Sequence, residues 1–196
     1  MNTREKILSA ITKNKPEIIA APIISIDESK DSSDLISHFM IMVESIGGKA
    51  FKVNNIDNIK DILNTDIASG SYIVNTISEL GDVNKEINNL SNAVVLEPIY
   101  KAYIRGKLGV SENGAVWIEE SKMTNRLLPF ICQHLVIVLD GNEIISNMHE
   151  AYRHIVIDKE GYGVFLAGPS KTADIEQSLV IGAHGARSVS IYILTA

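Results

Sequence analysis

The stretch Gly168-Pro169-Ser170-Lys171-Thr172 follows an apolar run, Val164-Phe165-Leu166-Ala167, and precedes Ile175, Leu179 and Val180 at helical spacing. Read as strand, turn and helix start, it is a place to hold an anion. The first N–H groups of a helix lack intrahelical acceptors, and the helix dipole adds positive charge there. Gly168 lets the backbone approach a ligand, Pro169 fixes the turn, Ser170 or Thr172 can cap, and Lys171 adds a cation. An ordinary capped strand-to-helix junction fits the same residues equally well.

Other chemistry-bearing groups are weaker. His149 and His154 stand about 140° apart around a helix at ~100° per residue, which is wrong for a shared metal, so no metal site is expected. Cys132 and His134 would share a strand face, but a lone cysteine is more often a small buried hydrophobe than a nucleophile. Gly48-Lys49 lacks the glycine and hydroxyl partners of a phosphate-binding P-loop, and Gly161-Tyr162-Gly163 precedes its strand where a dinucleotide fingerprint would follow one. Neither supports a nucleotide cofactor. The single cysteine excludes an intrachain disulfide and an iron–sulfur cluster built by this chain, since such clusters need about four thiolates.

These groups have to be positioned by a fold, and the pattern is that of an α/β protein. A first helix begins at Asn2, with Glu5 placed for a capping box and Ile7, Leu8 and Ile11 on one stripe; it ends before Pro16. Residues 1–29 therefore read as a helical appendage with an extended linker, and 30–196 as one domain. Within the domain, a helix over 33–46 stopped by Gly47-Gly48 leads to a strand at Ala50-Phe51-Lys52-Val53. A helix from Ile56 to Leu63 leads to Tyr72-Ile73-Val74, and one from Val83 to Leu90 to a strand at Ala93-Val94-Val95-Leu96. Such alternation predicts a mostly parallel sheet with helices on both faces. Beyond Pro98, Tyr100, Tyr103 and Ile104 read as helical. Ala115 to Ile118, His134 to Leu139 and Ser188 to Leu194 read as strands, and 142–154 as a helix.

Composition narrows the partners. With 24 acidic and 18 basic residues and no run of Lys or Arg, the chain is a poor nucleic-acid binder. The longest apolar run, Leu135 to Leu139, is too short to span a bilayer, so a cytoplasmic location is expected.

Three segments in order then carry a likeness: Gly109-Val110-Ser111-Glu112-Asn113-Gly114-Ala115 before a strand, Arg126-Leu127-Leu128-Pro129 before another, and Gly168 to Glu176 leading to Gly182-Ala183-His184-Gly185. They resemble the LUD family, the lactate-utilisation proteins of bacteria. Gly168 to Glu176 and Gly182 to Gly185 match closely, whereas Asn113 and Ala115 stand where threonines are usual. The resemblance implies an α/β sandwich of the CoA-transferase and ribose-phosphate-isomerase type. It also implies a non-iron–sulfur component of a system that oxidises L-lactate to pyruvate with an iron–sulfur partner.

If the strand ends share one rim, a small anionic ligand would sit on the amides of Ser170, Lys171 and Thr172 beside Gly168, with Arg126 as a bidentate clamp, Glu112 as base and His184 facing the same crevice. Plainer roles stand beside these: Arg126 a surface cation, Glu112 a turn cap, His184 a structural residue. The alternative activity is a stand-alone isomerase or acyl-CoA-transferase-like enzyme acting on a small phosphorylated or CoA-linked substrate, again with Glu112 as base or nucleophile. No cofactor is expected, and a second copy of the chain is an expected partner.

Overall fold

The computed structural model describes residues 2–20, 22, 34–81, 87, 92–175, 178–182 and 185–195. The chain divides into two compact units, Met1–Asp31 and Ser32–Ala196. In the first, helix α1 (Thr3–Lys13) carries the expected capping box: the Asn2 side chain accepts from the Glu5 N–H at 2.9 Å, and the Glu5 carboxylate accepts from the Asn2 N–H at 3.0 Å. Two of the four orphan N–H groups at this helix start are thereby satisfied.

The second unit is α/β. Its central sheet comprises β1 (Lys49–Val53), β2 (Ile73–Asn75), β3 (Lys101–Arg105), β6 (His134–Asp140) and β11 (Ser188–Leu194), in the order β1-β11-β6-β3-β2 with every neighbouring pair parallel. A smaller sheet has the order β7-β4-β5-β8, from β4 (Leu108–Val110), β5 (Ala115–Glu119), β7 (Ile144–Ile145) and β8 (Gly163–Leu166). Apolar side chains on both faces of β6 explain its unbroken Leu135 to Leu139 run, since a parallel strand is covered twice.

Helix α2 (Leu35–Ser45) buries Phe39 and Val43 against one face of the central sheet, where Ile104, Ile137 and Ile191 meet Val116 and Ile118 of the small sheet. Helix α3 (Ile56–Ala68) buries Ile59 and Leu63 against the opposite face, on Tyr103, Val136 and Val138. Outside the small sheet, helix α7 (Met148–His154) packs Ala151 on Leu108, Val110 and Trp117. No helix among the described residues is long and apolar enough to cross a membrane.

Four expectations are corrected. Ala93–Leu96 is a helical turn, α4, and not a strand: the Asn92 side chain accepts from the Val95 N–H at 3.2 Å, and Val94 and Val95 point to solvent, so cap chemistry outweighs β-branching. Tyr103 and Ile104 belong to β3, not to a helix; both are fully buried because the strand is covered on each face, and that burial mimics helical spacing. Residues 142–154 divide into a 3-10 turn over Gly141–Glu143, β7 and α7, whose start is set by the Asn147 cap. Finally, Lys171 to Ile175 is strand β9, paired antiparallel with β10 (Ser178–Ile181), where a helix was expected. The helix expected over Val83 to Leu90 lies, Ile87 apart, outside the described residues.

Candidate functional site

Side chains of alternate residues share a sheet face, so the parallel register builds rows across β3, β6 and β11. Lys101, His134 and Ser188 form the first row at the amino ends of the strands; Tyr103, Val136 and Ser190 form the second, and Tyr192 follows in the third beside Val138. Helix α3 covers the carboxyl halves of these strands with Ile59 and Leu63. Near its last turn Ile62 faces a cleft of about 180 Å³, which the two polar rows and Tyr192 line.

Charge is arranged unevenly there. Asp66, on the last turn of α3, takes the Lys101 ammonium with both carboxylate oxygens at 2.7 Å, and the Tyr103 hydroxyl donates to the same carboxylate. Burial, reinforced by this hydrogen bond and by the Asp66 charge, pushes the Tyr103 phenol far above its usual range, so it stays a donor. His134 Nδ1 lies 2.8 Å from Ser188 Oγ, and its ring meets Tyr100 edge-on at 4.7 Å between centroids. Burial lowers the His134 pKa from its ordinary value, helped by the positive charges of Lys101 and Arg187 and opposed by Asp66. A neutral imidazole beside an ammonium and the hydroxyls of Tyr103, Ser188, Ser190 and Tyr192 can bind an oxygen-rich anion and exchange a proton with a hydroxyl. Among the described residues no group of three His, Cys, Asp or Glu is arranged for a metal ion.

The residues singled out in the sequence are not gathered in this cleft. Glu112 is exposed in the turn between β4 and β5, where its Oε2 accepts from the Met148 N–H at 3.0 Å and so serves the start of α7, the turn-cap role. Arg126 does form a bidentate pair, but with Glu120, at 2.7 and 2.9 Å, and its guanidinium lies 4.9 Å from the centre of the Tyr162 ring. The two do not converge. Since β8 runs antiparallel to β5 with Leu166 beside Val116 and Gly163 beside Glu119, the Gly168 turn lies at the Ala115 end of the small sheet and Arg126 beyond its other end, about 13 Å away along the strand at ~3.3 Å per residue.

Nor is the Ser170 amide free, and Lys171 and Thr172 start a strand, not a helix. The Ser170 N–H donates to the Ala186 carbonyl at 3.0 Å, the Ser170 carbonyl accepts from the Gly182 N–H at 2.9 Å, and Lys171 and Thr172 stand opposite Ile181 and Val180 in the ladder. Without a helix start, the expected anion cradle is absent from this turn. Gly168 instead has φ +72°, and a Cβ there would lie 2.7 Å from the Ile46 carbonyl oxygen, so the glycine seats the turn on the end of α2. Lys171 lies over the same carboxyl end, where its charge meets the negative end of the helix dipole. His184 falls outside the described residues. Cys132 is fully buried, and burial pushes its thiol up to about 12, which suits the small-hydrophobe role.

Comparison with known proteins then adds a family. Residues 100–194 match the LUD domain. That stretch, just under half of the chain, is similar to the LUD domain. The matched stretch supplies β3, β6 and β11 of the cleft, while Asp66 comes from residues before the LUD domain. Lactate utilization protein C of Shouchella clausii is 32% identical over 81 residues, which cover 39% of this chain and 35% of that protein. Its counterpart in Anoxybacillus flavithermus is 30% identical over 88 residues, covering 44% and 40%. The match thus spans well under half the length of these relatives. In fold, the chain is similar to a crystal structure of a DUF162 family protein from Deinococcus radiodurans, with a TM-score of 0.62 and 11% identity over 83% of this chain and 97% of that one.

The cleft itself left little trace in the sequence. Its members are single polar residues scattered over three strands, and the available signal was period-two polarity at strand starts: Lys101 and Tyr103, then Ser188, Ser190 and Tyr192.

Proposed function

We propose that this protein is the component without an iron–sulfur cluster of a cytoplasmic system that oxidises L-lactate to pyruvate, and that it binds a small anionic ligand. The observation that carries this reading is the similarity of its LUD stretch to proteins named lactate utilization protein C. Oxidising lactate removes two electrons and two protons. The one cysteine of these 196 residues is buried and cannot hold an iron–sulfur cluster, so this reading assigns the electron carrier to a partner protein. A second copy of this chain is the other proposed partner.

Deleting the gene and growing the strain on L-lactate tests the pathway, and affinity purification of the tagged chain tests the partner. Loss of growth on lactate alone, together with recovery of an iron–sulfur protein, is expected. Normal growth with no partner recovered overturns the proposal.

A further inference from the structure

At the cleft on the amino ends of β3, β6 and β11, several polar side chains face an opening without being used up by the fold. Lys101 gives two of its three N–H groups to Asp66, which leaves one. Ser190 and the Tyr192 hydroxyl line the cleft and make no hydrogen bond to a described residue, and the same holds for His134 Nε2, since only Nδ1 is engaged by Ser188. Four unspent groups thus point into one space.

The size of that space selects the occupant. At about 30 Å³ of liquid volume per water, 180 Å³ holds about six waters or a molecule of about six heavy atoms. Cofactor and drug-sized sites run to ~300–1,000 Å³, so a nucleotide or coenzyme A does not fit inside. Charge argues the same way, since Asp66 pairs with Lys101, the one Lys or Arg among the described residues that lines the cleft, and leaves at most one surplus positive charge, that of the exposed Arg187, whose field reaches His134. One such surplus charge suits a monoanion better than a phosphate dianion.

We propose that this cleft binds a small monocarboxylate carrying a hydroxyl or oxo oxygen on the adjacent carbon, with Lys101, Ser190 and Tyr192 on the carboxylate and His134 Nε2 on the second oxygen. This assignment rests on the small-anion part of the proposed function, and not on the pathway. The His134–Ser188 pair accommodates both oxidation states. When Ser188 accepts from Nδ1–H, Nε2 carries the lone pair that takes a ligand hydroxyl; when Ser188 donates to Nδ1, Nε2–H donates to a ligand carbonyl. A serine hydroxyl can do either, so alcohol and ketone bind in one pose with a single proton moved.

Titration of the full chain with L-lactate, pyruvate, propionate and inorganic phosphate, followed by calorimetry and by the His134 imidazole resonances, tests the site. Lactate and pyruvate are expected to saturate and to shift the His134 signals, with propionate about tenfold weaker for want of the second oxygen. Ser190→Ala and Ser188→Ala, which remove exposed or half-buried hydroxyls and leave the fold intact, are each expected to weaken lactate about tenfold. Lys101→Met should weaken it further, whereas Arg126→Met should change nothing. Carboxylate binding that ignores the cleft variants overturns this inference and leaves the small-anion reading standing. Phosphate binding more tightly than lactate at the same residues overturns the ligand class. No binding of any anion at tens of millimolar overturns both.

Discussion

Gly168→Ala separates two accounts of the glycine that opens the most distinctive segment of this chain. If Gly168 were there to let a ligand approach, adding a methyl would cost affinity and little stability. The structure puts it against the chain instead. Its φ of +72° costs an alanine about 1–2 kcal/mol, and the new Cβ would lie 2.7 Å from the Ile46 carbonyl oxygen, a backbone atom that has no rotamer to change. Overpacking of that kind adds about 1–3 kcal/mol, for a total of about 2–5 kcal/mol. Gly70→Ala is the matched control, since Gly70 has φ +78° and nothing within 4 Å, and so carries the backbone cost alone. For a unit of this size the total corresponds to a melting point lowered by about 4–20 °C, at ~2–4 °C per kcal/mol. Urea unfolding of the three proteins, read by circular dichroism, measures both steps. Equal destabilisation by the two substitutions would refute the packing account.

Because the folded His134 pKa lies below its ordinary value of 6.5, the neutral ring is the form the fold favours. Its stabilisation is complete above about pH 6.5 and is lost as pH falls through the lowered folded value; His134→Gln should flatten the difference in urea midpoint between pH 5 and pH 7. Lys101→Met removes the partner of an Asp66 carboxylate whose side chain is 21% exposed, and should cost about 1–3 kcal/mol after discounting for solvent, with Asp66→Asn restoring part of it in a double-mutant cycle. Cys132, with its thiol pushed up to about 12, should resist iodoacetamide at pH 8 in the native protein and react at once in denaturant, as mass spectrometry would show. Rapid labelling of the native chain would contradict its burial.

What the sequence made legible were elements written in local signals. Asn2 with Glu5, and Gly47-Gly48 after an apolar stripe, announce helix ends that the structure contains, and the Leu135 to Leu139 run announces a strand covered on both faces. Local signals misled where a tertiary contact decides. Val94 and Val95 look like a strand until Asn92 caps them, and the Gly168 turn looks like a helix start until Ala186 takes the Ser170 N–H. The cleft was less legible still, because Asp66, Lys101, His134 and Ser188 meet only through strand order, which crosses over between distant segments. His134 drew notice beside Cys132, its neighbour in sequence; its partner, Ser188, lies 54 residues on.

Strand order has one more consequence. The stretch from 100 to 194 contributes the inner three strands of the central sheet, and the flanking strands on both sides, β1 and β2, come from before it. Excised alone, it would present two bare rows of N–H and C=O groups, ready to recruit any passing chain, and an orphaned ammonium where Asp66 had been. The boundary drawn by kinship is therefore not one at which this polypeptide can be cut with its sheet edges still covered.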